Sequence, residues 1–335
     1  MVKGRQASGG ETAWIERIRR RAVLPPKSGV FLGIGDDCAI FRARGAAEDL
    51  LFTTDMLIED VHFRRATHSA GDVGWKALAR GLSDIAAMGG QPRFCLLSLA
   101  LPRWADARWM DAFYREFLRL AARAGAPLAG GDLARAEKAM CDIVVCGAAP
   151  RNTALRRDSA RAGDAIYVSG ALGGSALGLA AGRGRAWRRH LRPQPRLALG
   201  QYLRSRLGAT SAMDLSDGLS LDLRRLSLAS KLSAEIGPPP VYPGATLEQA
   251  LHGGEDYELL FTLPPRKRAP AHFEGLPITR IGVMRAGRPG EVRFDGELLP
   301  PRGYDHFRGP EEVWDAGGKT AGVTERAPRP PHPVK

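Results

Sequence analysis

Apolar residues recur along the chain in two periods, and the switches between those periods mark its elements. Trp14, Ile15 and Ile18 fall at helical spacing among charges and predict a short amphipathic helix over 12–21. The runs "DLLFTTD" (49–55) and "RFCLLSLALP" (93–102) have strand length, the second closed by proline. Between them Leu78, Leu82 and Ile85 step by four and three, predicting a helix over 73–88, and a longer helix is expected over 106–124. "MCDIVVCGAA" reads as a buried strand, and the polar stretch 150–163 after it is the natural boundary. The second half starts over, with a strand at 165–169, a small-residue helix at 173–181 and a helix at 195–207. A strand over 209–215, a helix over 219–229 and strands in "EDYELLFTLP", "PITRIGVM" and "GEVRFDG" complete it. Strands and helices alternate in both halves, so the class is α/β (α+β) in two domains, 1–149 and 150–317. The remaining segment, 318–335, is proline-rich, basic and nearly devoid of large apolar residues, so it is expected to stay disordered.

Composition narrows the class. The chain has 335 residues, 44% of them hydrophobic and 25% charged, enough for a sizeable core. No run approaches the ~18 uninterrupted apolar residues of a membrane span, and the start of the chain lacks the order of a secretory signal, so a cytoplasmic protein without membrane association is expected. Cys38, Cys95, Cys141 and Cys146 show no CxxC spacing and fit reduced core positions. The net charge of +13 is concentrated in 3–27, 183–196 and the tail. None of these segments interleaves bases with a stacking motif, so they read as solvated arginine-rich surface and no nucleic-acid partner is expected.

Against that basic background the acids recur in one kind of place, beside glycine or a small residue at the end of an element. Asp36 and Asp37 precede a strand in "GDD", Asp55 closes "TTD", Asp132 follows "AGG", Asp214 and Asp217 flank Ser216, and Glu255 and Asp256 lie in "GGEDYE". Two carboxylates about 4 Å apart repel by about 4 kcal/mol at an effective dielectric near ~20, so such pairs call for a cation. "GDD" alone also reads as a turn. Asp84 lies inside a helix, where an i,i+4 pair with Arg80 is the plain alternative. Carboxylates with Thr53, Thr54 and Ser216 as neighbouring hydroxyls suit several magnesium ions and a polyphosphate. No His/Cys cluster suggests zinc, and neither GxxxxGK[ST] nor GxGxxG occurs. "GALGGSALG" reads as small residues packing a helix, so phosphate holding would fall to metal.

The motifs "GIGDDCAIF", "TTDMLIEDVHF", "ALARGLSDIAAMGGQP", "GGDLAR", "DLSDGLSLDL", "GGEDYEL" and "GYDHF" come in an order and spacing that resembles the thiamine-monophosphate kinase family, over residues 12–308. The resemblance implies a two-domain aminoimidazole ribonucleotide synthetase-like fold, with an N-terminal ATP- and metal-binding domain that also forms a homodimer and a C-terminal α/β domain. It implies magnesium-assisted, direct in-line transfer of the ATP γ-phosphate to thiamine monophosphate, the last step of thiamine diphosphate biosynthesis, without a protein nucleophile. By matching motifs, Asp37, Thr53, Thr54, Asp55, Asp84, Asp132, Asp214 and Asp217 would be metal-site positions. Gly131, Arg157 and Ser216 would meet ATP, and His62, Glu255 and Tyr304 the thiamine phosphate. Asp36 is left as a turn acceptor. On residues alone, His62 and Tyr304 also read as a buried imidazole and an aromatic near the end of the fold. A departure is "EDVH", which adds Glu59 and Asp60 beside His62, so their direction matters. A selenide-using relative on the same fold would carry a reactive cysteine near the N-terminus, whereas the first here is Cys38. A basic nucleic-acid-binding protein with structural metal would bind with steep salt dependence and turn over no ATP.

Overall fold

The structure, a computed structural model, describes residues 10–307, and the tail expected over 318–335 lies outside the described residues. Its first half runs α1 (Glu11–Arg21), β1 (Val30–Leu32), β2 (Ala39–Phe41), β3 (Glu48–Ile58), α2 (Ala70–Ala87), β4 (Gln91–Leu101), α3 (Ala107–Ala124), β5 (Leu128–Arg135) and β6 (Met140–Pro150). The second half runs β7 (Ala165–Ser169), α4 (Gly174–Ala181), α5 (Gly184–Leu191), α6 (Leu197–Tyr202), β8 (Ser211–Asp214), α7 (Leu219–Ala229), β9 (Ser233–Ile236) and α8 (Leu247–His252). It closes with β10 (Leu259–Leu263), β11 (His272–Phe273), β12 (Leu276–Arg285), β13 (Val292–Phe294) and β14 (Glu297–Leu298). The long helices start where the sequence supplies caps: Ser69 and Asp106 accept the N–H of Asp72 and Trp109.

Strands β1 to β6 form one sheet in the order β1-β2-β3-β6-β4-β5, antiparallel except for the β4–β5 pair. Along β3, Leu51, Thr53 and Leu57 are buried toward α2, while Thr54 and Met56 point to the other face and are exposed. The second sheet has the order β14-β13-β9-β12-β7-β10-β8, with β11 on β12. Strands β7, β8 and β10 are covered on both faces. Ile166, Val168 and Leu260 join a core with Leu219 and Leu223 of α7, whereas Tyr167, Leu259 and Phe261 join another with Leu199, Leu203 and the α2 residues Ala86 and Ala87. Helix α2 therefore belongs to both halves. It packs on β3, β6 and α3 on one side and on α5, α6 and β8 on the other, and the Trp75 indole N–H donates to the Pro193 carbonyl at 2.8 Å.

Several expectations are corrected. The segment 183–196 is not uniformly solvated surface: it contains α5, and three of its arginines turn inward. Arg189 and Arg196 both pair with the fully buried Glu258, and Arg192 bridges Asp72 and Glu116, because a buried carboxylate must have opposite charge close by. The helix expected over 195–207 is α6 followed by a π-helical turn, Leu203–Leu207. "GALGGSALG" does build a helix packed on another, α4 on α5, and Asp256 accepts the Gly173 and Ser175 N–H groups at 2.5 and 3.0 Å, so the first turn of α4 holds a carboxylate of its own chain. Asp55 and Asp132 lie within β3 and β5 rather than at element ends.

The α2–α3 contact is close enough to forbid a side chain at Gly74, where a Cβ would sit 2.3 Å from the Phe113 carbonyl oxygen. In an open helix glycine-to-alanine gains about 1 kcal/mol. Here Gly74→Ala is expected to reverse that sign and cost about 1–3 kcal/mol, since backbone rather than a flexible side chain must move. Urea unfolding of the variant checks this, and equal or higher stability would show that the helices can separate.

Candidate active site

A cavity of about 630 Å³ is bounded by β3, α2, α4, the turn after β8, the loop 253–257 and the closing segment 303–307. Asp84 and Asp214 line it, and the Asp37 carboxylate converges on theirs, one oxygen of each lying within 4.8 Å of the others. They come from three places in the chain: the turn before β2, the buried face of α2 and the last residue of β8. Thr53 donates its hydroxyl to Asp84, and Ser83 donates to Asp214 at 2.6 Å. Burial first, and then the neighbouring acids, push both Asp84 and Asp214 well above the usual carboxylate range. Charge so crowded, presented by oxygen ligands alone, fits a hard divalent cation.

Arginines clamp the acids around this core. Arg157 grips Asp37 with Nε, 3.1 Å from Oδ2, and with Nη2, and its backbone N–H donates to Asp36 at 3.1 Å. The other Asp36 oxygen accepts the Asp37 N–H at 3.0 Å, so Asp36 ties its own loop to the backbone of Arg157. Arg80 takes Asp55 with Nε and Nη2 at 2.8 and 2.7 Å and does not pair with Asp84, four residues along its helix. Arg225 bridges Asp217 and Asp222. Asp84 and Asp214 have hydroxyl partners and no guanidinium.

The outer cavity carries His62, Glu255 and Tyr304, with Ser216 at its wall. His62 Nδ1 accepts the Ile58 N–H at 3.0 Å, which puts the ring proton on Nε2, and that nitrogen is buried without a partner. Burial, then the charge of Arg80, lowers His62 to about 3, so it is neutral near pH 7. Glu255 stands in left-handed backbone at φ +63, as does Tyr257 at φ +50, an unusual state for residues with side chains. Its carboxylate lies 2.9 Å from the ammonium of Lys76, which has no exposed surface. Burial alone would raise Glu255, but Lys76 and its neighbours bring it down to about 2. His190 Nδ1 lies 3.3 Å from the same carboxylate and 2.9 Å from the Ser175 hydroxyl. Asp305 accepts the Glu11 N–H at 3.0 Å, seating the start of α1 at the rim.

The remaining expected residues lie apart. Thr54 donates to Asp142 at 2.7 Å on the open face of the first sheet, and Asp132, on β5, is exposed. Gly131 lies so close to β4 that a Cβ would be 1.8 Å from the Leu97 carbonyl oxygen, a position only glycine fills. Glu59 and Asp60 turn away from the cavity: Glu59 accepts the Ala139 N–H at 2.9 Å and Asp60 pairs with Lys138. Lys76, Arg80, Ser83, His190, Asp222 and Arg225 join the site beyond the expected set, Arg80 being expected only as a helix partner of Asp84. One signal pointed to the first three: polar residues at 76, 80 and 83–84 form a stripe on a helix whose other faces are apolar.

Comparison with known proteins gives a consistent result. Residues 35–151 match the family AIR synthase related protein, N-terminal domain. The chain is 39% identical to the thiamine-monophosphate kinase of Escherichia coli (strain K12), covering 90% of this chain and 99% of that protein. Among solved structures it resembles AaThiL complexed with AMPPCP and TMP, with a TM-score of 0.79, 33% identity, and 89% and 97% of the two chains covered. It also resembles thiamine-monophosphate kinase from Stenotrophomonas maltophilia K279a, with a TM-score of 0.70, 37% identity, and 86% and 98% covered.

The buried histidines set a pH dependence. Burial, then the Lys76 charge, lowers His68 to about 4 and His190 to about 3, against an ordinary value of 6.5. A folded-state value below the unfolded one means that stability is complete above pH 6.5 and is lost as pH falls toward 4. Asp36, Asp84, Asp214 and Asp222 are shifted up and act in the opposite direction over part of this range, so the histidine share is read by difference. The stability advantage of the wild type over His68→Gln is expected to shrink by up to about 2 kcal/mol from pH 7 to pH 5. Denaturant unfolding at both pH values measures it, and a constant difference would mean that His68 titrates normally.

Proposed function

The chain belongs to the thiamine-monophosphate kinase family, and on that basis we propose how its own residues serve the ATP-dependent phosphorylation of thiamine monophosphate. The observation that carries the reading is the meeting, in one cavity, of a buried carboxylate cluster with an outer wall fit for a small polar aromatic ligand. Asp37, Asp84 and Asp214 would hold magnesium. When bound, it offsets the charge of two phosphorylated substrates brought together. Thr53, Ser83 and Arg157 fix the orientation of those carboxylates, leaving little reorganisation at the moment of transfer. ATP is assigned to the side of Arg157 and Ser216, and thiamine monophosphate to the side of His62, Glu255 and Tyr304, while Gly131, on β5 beside Asp132, lies apart from both. The neutral His62 offers its unpartnered Nε2–H to the acceptor.

An oxygen of the acceptor phosphate, already ionised near neutral pH, attacks the γ-phosphorus directly while the bond to ADP breaks, so no general base or protein nucleophile is needed. We assign 1–149 and 150–317 as the two domains and propose a homodimer formed through the first. Support comes from the open face of the first sheet, where Phe52, Met56, Leu96 and Val144 stand at least partly exposed. Thr54 and Asp132 are on or beside that face, so any phosphate or metal they meet is reached from there and not through the cavity of their own subunit. The address proposed is the cytoplasm; no helix among the described residues is long and apolar enough to cross a membrane.

With ATP, Mg²⁺ and thiamine monophosphate, the protein is expected to form thiamine diphosphate and ADP in equal amounts, followed by chromatography; ADP release without thiamine diphosphate would overturn the assignment. Asp84→Asn keeps the shape but removes a charge from the cluster. Turnover is expected to fall about 10²- to 10³-fold, while the melting temperature without Mg²⁺ holds or rises as like-charge repulsion is relieved. A variant that loses activity and melting temperature together would make Asp84 a structural residue.

A further inference from the structure

The cavity has an unusual charge balance. Six carboxylates line it, from Glu11, Asp55, Asp84, Asp214, Asp217 and Glu255, and Arg80 is the one arginine or lysine among its described lining residues. Arg157 and Arg225 clamp their acids from behind, and the Lys76 ammonium has no exposed surface. Arg80 is held rigidly: Nε lies 2.8 Å from Asp55 Oδ2, Nη2 lies 2.7 Å from Oδ1, and Nη1 lies 3.1 Å from the Met56 carbonyl oxygen. A guanidinium has five N–H groups. Nε and Nη1 each donate one hydrogen bond and Nη2 makes an ion-pair contact, so each terminal nitrogen keeps at least one N–H to offer, and 14% of the side chain remains accessible.

We propose that Arg80 binds the phosphate of the acceptor substrate, its fork fixed by Asp55 and its remaining N–H groups presented to the phosphate oxygens. The inference rests on the reading of the cavity as the site of thiamine monophosphate. Arg80 belongs to the acceptor side because it lines the same cavity wall as His62, Glu255 and Tyr304, all assigned there, and is anchored to Met56, another lining residue. A planar fork suits a phosphate monoester better than a point charge does.

The test compares equilibrium binding of thiamine monophosphate, thiamine and ADP by calorimetry, in Mg²⁺ buffer, for the full-length wild type, Arg80→Gln and Arg80→Lys, with thermal melting alongside. Loss of charged hydrogen bonds predicts that Arg80→Gln weakens thiamine monophosphate about 10- to 100-fold. Thiamine and ADP are expected to stay within about twofold, with Arg80→Lys recovering part of the loss. An unchanged affinity for thiamine monophosphate, an equal loss for thiamine, or a loss confined to ADP each overturns the proposal. If Arg80→Gln does not fold, the ratio of thiamine monophosphate to thiamine affinity in Arg80→Lys decides: a fall supports the contact and an unchanged ratio overturns it. A wild type that binds thiamine but not its monophosphate would instead overturn the substrate reading on which the inference rests.

Discussion

Helix α2 is buried along almost its whole length while carrying Lys76, Arg80, Ser83 and Asp84 on its polar stripe. A buried ammonium, guanidinium or carboxylate without a partner costs several kcal/mol, so each of these groups must find one outside the helix. The partners come from both halves of the chain: Asp55 and Thr53 from β3, Asp214 from β8, and Glu255 from the loop before β10. Satisfying one helix therefore fixes where the strand ends and loops of both halves must stand. The cavity is what remains between them.

The electrostatic division follows from that arrangement. Asp37, Asp55 and Asp217 are paired with arginines of the chain, whereas Asp84 and Asp214 have hydroxyl partners, form no ion pair with an arginine and repel each other at the wall of the cavity. A protein folded for stability alone would gain by replacing one of that pair with an apolar residue. Keeping both acids is a local cost consistent with a site that takes up cationic charge, and the arginines limit that cost to the place where charge is needed.

Much of this was legible in the sequence. The helix over 219–229 and the strand over 165–169 were read to the residue, because their periodicity is clean and Gly218 and Gly170 flank them. The acids of the cluster stood out against a basic background. Strand β5 was missed because an exposed edge strand with two glycines shows no alternation, and α5 because its arginines masked the buried Ala186 and Leu191. The choice of Arg80 for Asp55 over Asp84 could not be read from spacing. In an isolated helix the i,i+4 pair is worth a few tenths of a kcal/mol, and a bidentate contact across the fold outweighs it.

The core that unites Leu199 and Leu203 with Tyr167, Phe261 and the end of α2 has a consequence for folding. Neither half can complete its apolar packing alone: the first would expose Ala86 and Ala87, the second the inner faces of α6 and β7. Such shared packing ties the two sheets into one packed unit, for which a single cooperative unfolding transition is expected. A break in the connecting segment near Pro150 would then leave two fragments that complement each other in solution rather than two autonomous modules.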